Sequence, residues 1–144
     1  MIRTTEIAPG LAIAAQPEPS DIAGLAETGF KTLINNRPDG EEPAQMPMAV
    51  GRDKAKRHGL AYVYIPVTSS MITTADVAAF ERALEASPKP IVAHCRSGTR
   101  TYLLWATGQA LGGKADPAKL VADAAAKGYD IKSLPDLVTR LKAR

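Results

Sequence analysis

The sequence predicts an α/β fold, a three-layer sandwich whose mostly parallel central sheet is flanked by helices. Three observations carry this. Short apolar runs of strand length alternate with stretches of helical periodicity. The punctuation between them is Gly, Pro, Asn and Asp, the residues that turns demand. No segment recurs at the period of a solenoid or propeller unit. At 144 residues and 45% hydrophobic content, the chain fits a single domain spanning 1–144 that buries a core without structural metal or disulfides.

Leu11-Ala12-Ile13-Ala14 reads as the first strand, stopped by Gln16-Pro17-Glu18-Pro19. Ser20 reads as the N-cap of a helix carrying Ile22, Leu25 and Ala26 on one face and ending at Gly29. Lys31 to Asn35 is a second strand, and the polar, proline-rich stretch Asn36 to Pro43 is a loop. A helix is expected over Gln45 to His58, weakened by Pro47 and Gly51 and closed by Gly59. Leu60 to Val67 alternates as a strand and leads to the hydroxyl-rich loop Thr68-Ser69-Ser70. Thr73 and Asp76 have the spacing of a capping box for a helix to Ala86, with Val77, Phe80 and Leu84 on its apolar face. Ser87-Pro88-Lys89-Pro90 delivers the chain to a strand, Pro90 to Ala93, which runs into His94 and Cys95. A helix follows from Thr101 to Leu111, ended by Gly112-Gly113. Asp116-Pro117 supplies N-cap and first residue of another helix, to Lys127, with Gly128 as its C-cap. A last helix from Ser133 or Leu134 to Lys142 carries Leu134, Leu137, Val138 and Leu141 on one stripe.

Composition narrows the function. One cysteine excludes an intramolecular disulfide, an all-cysteine zinc site and a dithiol mechanism with an internal resolving thiol. No stretch approaches the roughly 20 apolar residues of a membrane span, and the N-terminal residues lack the apolar core of a secretory signal, so a cytoplasmic protein with no membrane partner is expected. The net charge of +3 favours anionic substrates. Nucleic acid is not expected as a partner, because no basic run is interleaved with aromatics. The two histidines are isolated, so neither a metal nor another cofactor is expected. His58, beside Lys54, Lys56 and Arg57, reads as part of a solvated basic face.

The chemistry concentrates in Ile91 to Thr101. Strand, short loop and helix bring several backbone N–H groups to one point at the positive end of a helix dipole, where an anion can sit. Cys95, at the start of that loop, shares the field, and its pKa is expected below the ~8.5 of a free thiol, which would make it a nucleophile at neutral pH. Arg100 offers a planar fork for two oxygens of a tetrahedral oxyanion. Arg96 and Arg100 would repel each other with no anion between them, and an arginine in a helix's first turn opposes the dipole. The alternative is a small buried cysteine beside a solvated arginine.

The order His94, Cys95, Gly98, Arg100, Thr101 resembles the loop of cysteine-dependent phosphatases of the tyrosine and dual-specificity type. Those place five residues between cysteine and arginine; here there are four, Arg96 to Thr99, and Cys-Arg-Ser-Gly-x-Arg is a spelling common in rhodanese-type sulfurtransferases. Together with Ile34 to Glu41 and Tyr64-Ile65-Pro66-Val67, the chain from Thr5 to about Tyr129 resembles the bacterial beta-lactamase-hydrolase-like, phosphatase-like family. That resemblance implies a cysteine-phosphatase-like fold and either phosphatase or sulfur-transfer activity.

The resemblance also implies roles. His94 would orient the loop, and the Thr101 hydroxyl would help the thiolate leave, unless Thr101 is an ordinary helix-start residue. Ser97 and Thr99 read as loop residues bonding the ring of amides, and Gly98 as the position needing close approach or positive φ. Phosphatases of this type place an acid after the Ile-Pro-Val strand, where this chain has Thr68-Ser69-Ser70. Asp39 is then the first choice for general acid and Glu41 the second, although Asp39 also reads as the turn residue of Pro-Asp-Gly. Arg37 would add a second guanidinium to the substrate, or else pair with Glu41 or Glu42. The first reading is a phosphoester hydrolase working through a thiophosphoryl intermediate. The alternatives are a sulfurtransferase that carries a sulfane sulfur from an anionic donor as a Cys95 persulfide, and a module that binds an oxyanion without turnover. The oligomeric state is left open.

Overall fold

The computed structural model describes residues 2–143; Met1 and Arg144 lie outside them. Five strands form one sheet: β1 (Thr4–Ala8), β2 (Leu11–Ala14), β3 (Thr32–Asn35), β4 (Ala61–Tyr64) and β5 (Ile91–His94), in the order β1-β2-β5-β3-β4. Only β1 runs antiparallel; β2, β5, β3 and β4 are parallel neighbours. Their register is flush, with Ala14, His94, Asn35 and Tyr64 side by side at the carboxyl ends. β5 is inserted between β2 and β3, so the chain reverses direction across the sheet there, and loops diverge at the place where α/β sheets hold ligands.

The helices are α1 (Pro19–Thr28), α2 (Met48–Arg57), α3 (Thr74–Ala86), α4 (Thr99–Leu111), α5 (Pro117–Ala126) and α6 (Leu134–Lys142). Alternation along the strands separates the two faces. Leu33 and Val92 pack with Ile22 and Leu25 of α1 and Ala55 of α2. Ile34, Ile91 and Ala93 point the other way, against Val77 and Phe80 of α3, Leu104 of α4 and Leu137 and Leu141 of α6. Tyr102, Ala106, Leu120, Ala124, Leu134 and Val138 close a neighbouring cluster under α5. This is the three-layer sandwich that the alternating pattern predicts. No described helix is long and apolar enough to cross a membrane.

Several boundaries differ from the expectations, each for a local reason. β1 was not expected at all: it is an edge strand with one partner, half-buried throughout apart from an exposed Glu6, and interrupted by a bulge between Glu6 and Ala8. The N-cap of α1 is Glu18 rather than Ser20, because Pro19 takes the first helical position and Asp21 returns a bond to the Glu18 N–H. α2 begins at Met48, not Gln45, with Pro47 as N-cap. β4 ends at Tyr64, although the Ile65 and Val67 N–H groups still bond the Asn35 and Asn36 carbonyls across the Pro66 interruption. α4 starts two residues early, at Thr99, which puts Arg100 inside its first turn. The Thr73–Asp76 capping box forms in both directions.

Candidate active site

The thiol loop leaves the middle of the sheet. β5 is buried along its whole length, and Cys95 follows with only 1% of its surface exposed. His94, also buried, lies with Nδ1 3.1 Å from the Cys95 carbonyl oxygen. Burial pushes the imidazole pKa down to about 4, with the nearby Arg37 charge acting the same way, so the ring is neutral at pH 7. A neutral ring that bonds a carbonyl through Nδ1 carries its proton there and braces the loop.

Arg96 and Ser97 are exposed, whereas Gly98 turns inward with φ +97° and caps α4. That conformation aims the Gly98 N–H at the Cys95 sulfur, 3.0 Å away. A side chain at this position would meet Tyr129 Cε1 at 3.1 Å and the Ala14 carbonyl at 3.5 Å, so close approach and positive φ both require glycine. The Ser97 hydroxyl reaches Thr99 Oγ1 at 3.4 Å. Thr101 is fully buried and donates its hydroxyl hydrogen to Asn36 Oδ1 at 3.0 Å, so that hydrogen is committed to the β3 end rather than to the sulfur.

Arg100 folds back across the carboxyl ends of β3 and β4. Its Nη1 donates to Glu41 Oε2 at 2.9 Å and to the Val67 carbonyl at 3.0 Å, and Nη2 donates to Glu41 Oε1 at 3.0 Å. A guanidinium has five N–H groups. These bonds use three, and the two left over, Nε–H and the second hydrogen of Nη2, lie parallel along one edge. Nε is buried and has no partner among the described residues. One side of a 90% buried fork therefore remains free, in the geometry that holds two oxygens of one anion. The Arg100 hydrogen bond foremost, and that from Arg37 after it, hold the Glu41 carboxyl below its ordinary pKa although burial opposes this.

Arg37 is the largest fully buried side chain, 2% exposed. Nε donates to Glu41 Oε1 at 3.0 Å, Nη2 to Glu42 Oε1 at 2.6 Å and Nη1 to Gln16 Oε1 at 3.2 Å. All three nitrogens are thus engaged within the protein. The pairing with Glu41 and Glu42 is the geometry found, and together with the bond to Gln16 it uses three of the five N–H groups of Arg37. Burial works against the Arg37 charge, but the hydrogen bonds to Glu42 and Glu41 outweigh it and raise its pKa.

Asp39 is exposed, and its Oδ1 accepts the Met48 N–H at 2.7 Å, at the start of α2. Its own N–H donates to the Tyr64 hydroxyl at 3.0 Å. The loop Asn36 to Pro43 reaches Arg100 through Glu41. The segment after β4 contributes the Val67 carbonyl, while Ser69 and Ser70 line a separate hollow with Ile72 and Leu103. Among the described residues no group of His, Cys, Asp and Glu is placed to hold a metal ion. Sequence reasoning did not find Asn36, Gln16 or the Glu41–Arg100 pair. The one available signal was the cost of an arginine in a helix's first turn, which implies a nearby anion.

The sequence profile of one family, described as the beta-lactamase hydrolase-like protein, phosphatase-like domain, matches residues 3–112. The chain belongs to this family. A beta-lactamase hydrolase-like protein of Xylella fastidiosa (strain 9a5c) is 37% identical over 130 residues, 90% of this chain and 30% of the relative. The phosphatase-like domain described here thus spans about 30% of the length of such curated relatives. Among solved structures, a candidate phosphatase of Neisseria meningitidis z2491 superposes with a TM-score of 0.86 at 29% identity, covering 95% of this chain and 96% of that one. The P. aeruginosa protein TpbA, solved in complex with pTyr, shares the fold at 19% identity with a TM-score of 0.64, covering 94% and 90% of the two chains.

Proposed function

We propose that this phosphatase-like domain hydrolyses a phosphoester with Cys95 as nucleophile. One observation carries the reading: the buried Arg100 fork keeps a single edge free, in the first helical turn beyond a loop whose thiol receives a backbone N–H. In the reaction the Cys95 thiolate attacks phosphorus in line, forming the S–P bond as the bond to the leaving oxygen breaks. The free Arg100 edge and the amides of Arg96 to Thr99 hold the equatorial oxygens, with charge stabilisation growing toward the transition state. The leaving oxygen takes a proton from an acid, for which Asp39 is the first choice because its second oxygen is not used in capping α2. Water then cleaves the S–P bond and releases phosphate. Support for an anionic substrate comes from the shared fold of TpbA, crystallised with pTyr.

A second reading, sulfur transfer through a Cys95 persulfide, is favoured by a specific observation. The loop has four residues between Cys95 and Arg100, and the carboxylates of Asp39 and Glu41 are both held by protein donors. Sulfur transfer requires no acid. The two readings separate in one preparation. Hydrolysis of an aryl phosphate that disappears in Cys95→Ser and in Arg100→Lys, and falls by about 10²–10⁴-fold in Asp39→Asn, supports the phosphatase with Asp39 as acid. A wild-type Cys95 that gains one sulfur from thiosulfate in intact-mass spectra, with transfer to cyanide unchanged in Asp39→Asn, supports the transferase. Neither activity in the wild type leaves an oxyanion-binding module.

A further inference from the structure

Two consecutive glutamates each use one oxygen to join the same buried arginine to a different arginine of the thiol loop. Glu41 Oε1 accepts from Arg37 Nε and from Arg100 Nη2, both at 3.0 Å. Glu42 Oε1 accepts from Arg37 Nη2 at 2.6 Å and lies 3.4 Å from Arg96 Nε. A third route runs through Gln16, whose side chain accepts Arg37 Nη1 at 3.2 Å and whose backbone N–H donates to the Arg96 carbonyl at 3.0 Å. All three nitrogens of Arg37 therefore lead to the thiol loop, two of them to its first residue after the cysteine and one to its last.

We propose that Arg37 is a positioning residue that sets the span of the thiol loop, holding Arg96 and Arg100 at a fixed separation through Glu42 and Glu41. This rests on the reading that the Cys95 loop binds an oxyanion. The burial of Arg37 is what makes it effective. Its backbone N–H is tied to Asn35 Oδ1 at 2.8 Å, at the flush carboxyl end of β3, so the backbone that carries the guanidinium is anchored to the sheet. The glutamates are more open to solvent, with side chains 28% and 43% exposed, and each carboxylate is bonded by the buried Arg37. Charge points the same way. Three guanidinium groups face two carboxylates, so the cluster keeps one positive charge that a bound anion neutralises. A planar fork fixes the directions of both glutamates, whereas an ammonium is a point charge with rotatable donors that does not.

The test uses inorganic phosphate to protect Cys95, the single thiol, from iodoacetamide, with alkylation read by intact mass. In Arg37→Lys the charge is kept and the fork is lost. A pure field effect leaves the protection midpoint where it was, whereas positioning raises it about 10- to 100-fold, as small misplacements of a site do. Glu42→Gln, changed at a partly exposed side chain, discriminates by sign and serves even if Arg37→Lys does not fold. Removing a negative charge beside an anion site tightens phosphate on electrostatics alone, but loosening Arg96 weakens it. An unchanged midpoint in folded Arg37→Lys, or tighter protection in Glu42→Gln, overturns the role of Arg37. No protection in the wild type overturns the oxyanion reading itself and the proposal with it, an outcome distinct from protection that the variants fail to alter.

Discussion

Gly98→Ala tests whether the thiol loop is held in a backbone conformation closed to other residues. The cost has two parts that can be worked separately. With φ at +97° and ψ at −23°, an L-residue is strained by about 1–2 kcal/mol. The added methyl would also lie 3.1 Å from Tyr129 Cε1 and 3.5 Å from the Ala14 carbonyl. The tyrosine ring is not free to step aside, since it tilts against Tyr102 at 5.6 Å between ring centres and its hydroxyl lies 3.3 Å from Thr5 Oγ1. Overpacking of this kind adds about 1–3 kcal/mol. The expected loss is thus about 2–5 kcal/mol in urea unfolding, a large share of the roughly 5–15 kcal/mol of a typical domain. Tyr129→Leu combined with Gly98→Ala should recover the contact part and leave about 1–2 kcal/mol, the part set by φ. If the loop yields instead, the Gly98 N–H leaves the sulfur and the iodoacetamide rate of Cys95 changes. A folded Gly98→Ala protein within about 0.5 kcal/mol of wild type, with an unaltered alkylation rate, refutes the reasoning.

His94 makes stability depend on pH. Its folded pKa of about 4 lies below the ordinary 6.5, so the unfolded chain binds the extra proton between those values. Stability is then complete above about pH 6.5 and falls as pH drops toward 4, by a His94 share on the order of 3 kcal/mol, and His94→Asn should flatten that slope in urea titrations. Thr101→Val keeps the shape but removes the hydrogen given to buried Asn36 Oδ1; unfolding should show a loss of about 1–3 kcal/mol, and no loss would mean that water or a neighbour replaces the bond.

The parts of this molecule that local chemistry dictates were readable in the chain. The Thr73–Asp76 box, the Asp116–Pro117 start and the α6 stripe depend only on neighbours three or four residues away, and each forms as its pattern implies. The strand-thiol-loop-helix unit was likewise local, with Gly98 at the position where a positive φ is needed. β1 escaped because an edge strand with one partner carries no continuous apolar run. α2 starts later than its pattern implies because Gln45 belongs to the loop, where its side chain donates to the Pro38 carbonyl and accepts the Glu41 N–H. Site geometry was least legible where it joins distant segments. That Arg100 would meet Glu41, 59 residues earlier, and that Thr101 would meet Asn36 follow from β5 lying beside β3, which no local pattern encodes.

The burial of Cys95 bears on what oxygen does to this protein. A sulfenic acid formed on its sulfur has no second thiol in the chain with which to close a protective disulfide. Rescue must come from outside this domain, and Cys95 exposes too little surface, 1%, for a protein reductant to reach its sulfur without the loop opening. Small thiols are the reagents that fit. Recovery from peroxide should accordingly follow the size of the reductant more closely than its reduction potential, so that the same walls that shelter the nucleophile also choose what can repair it.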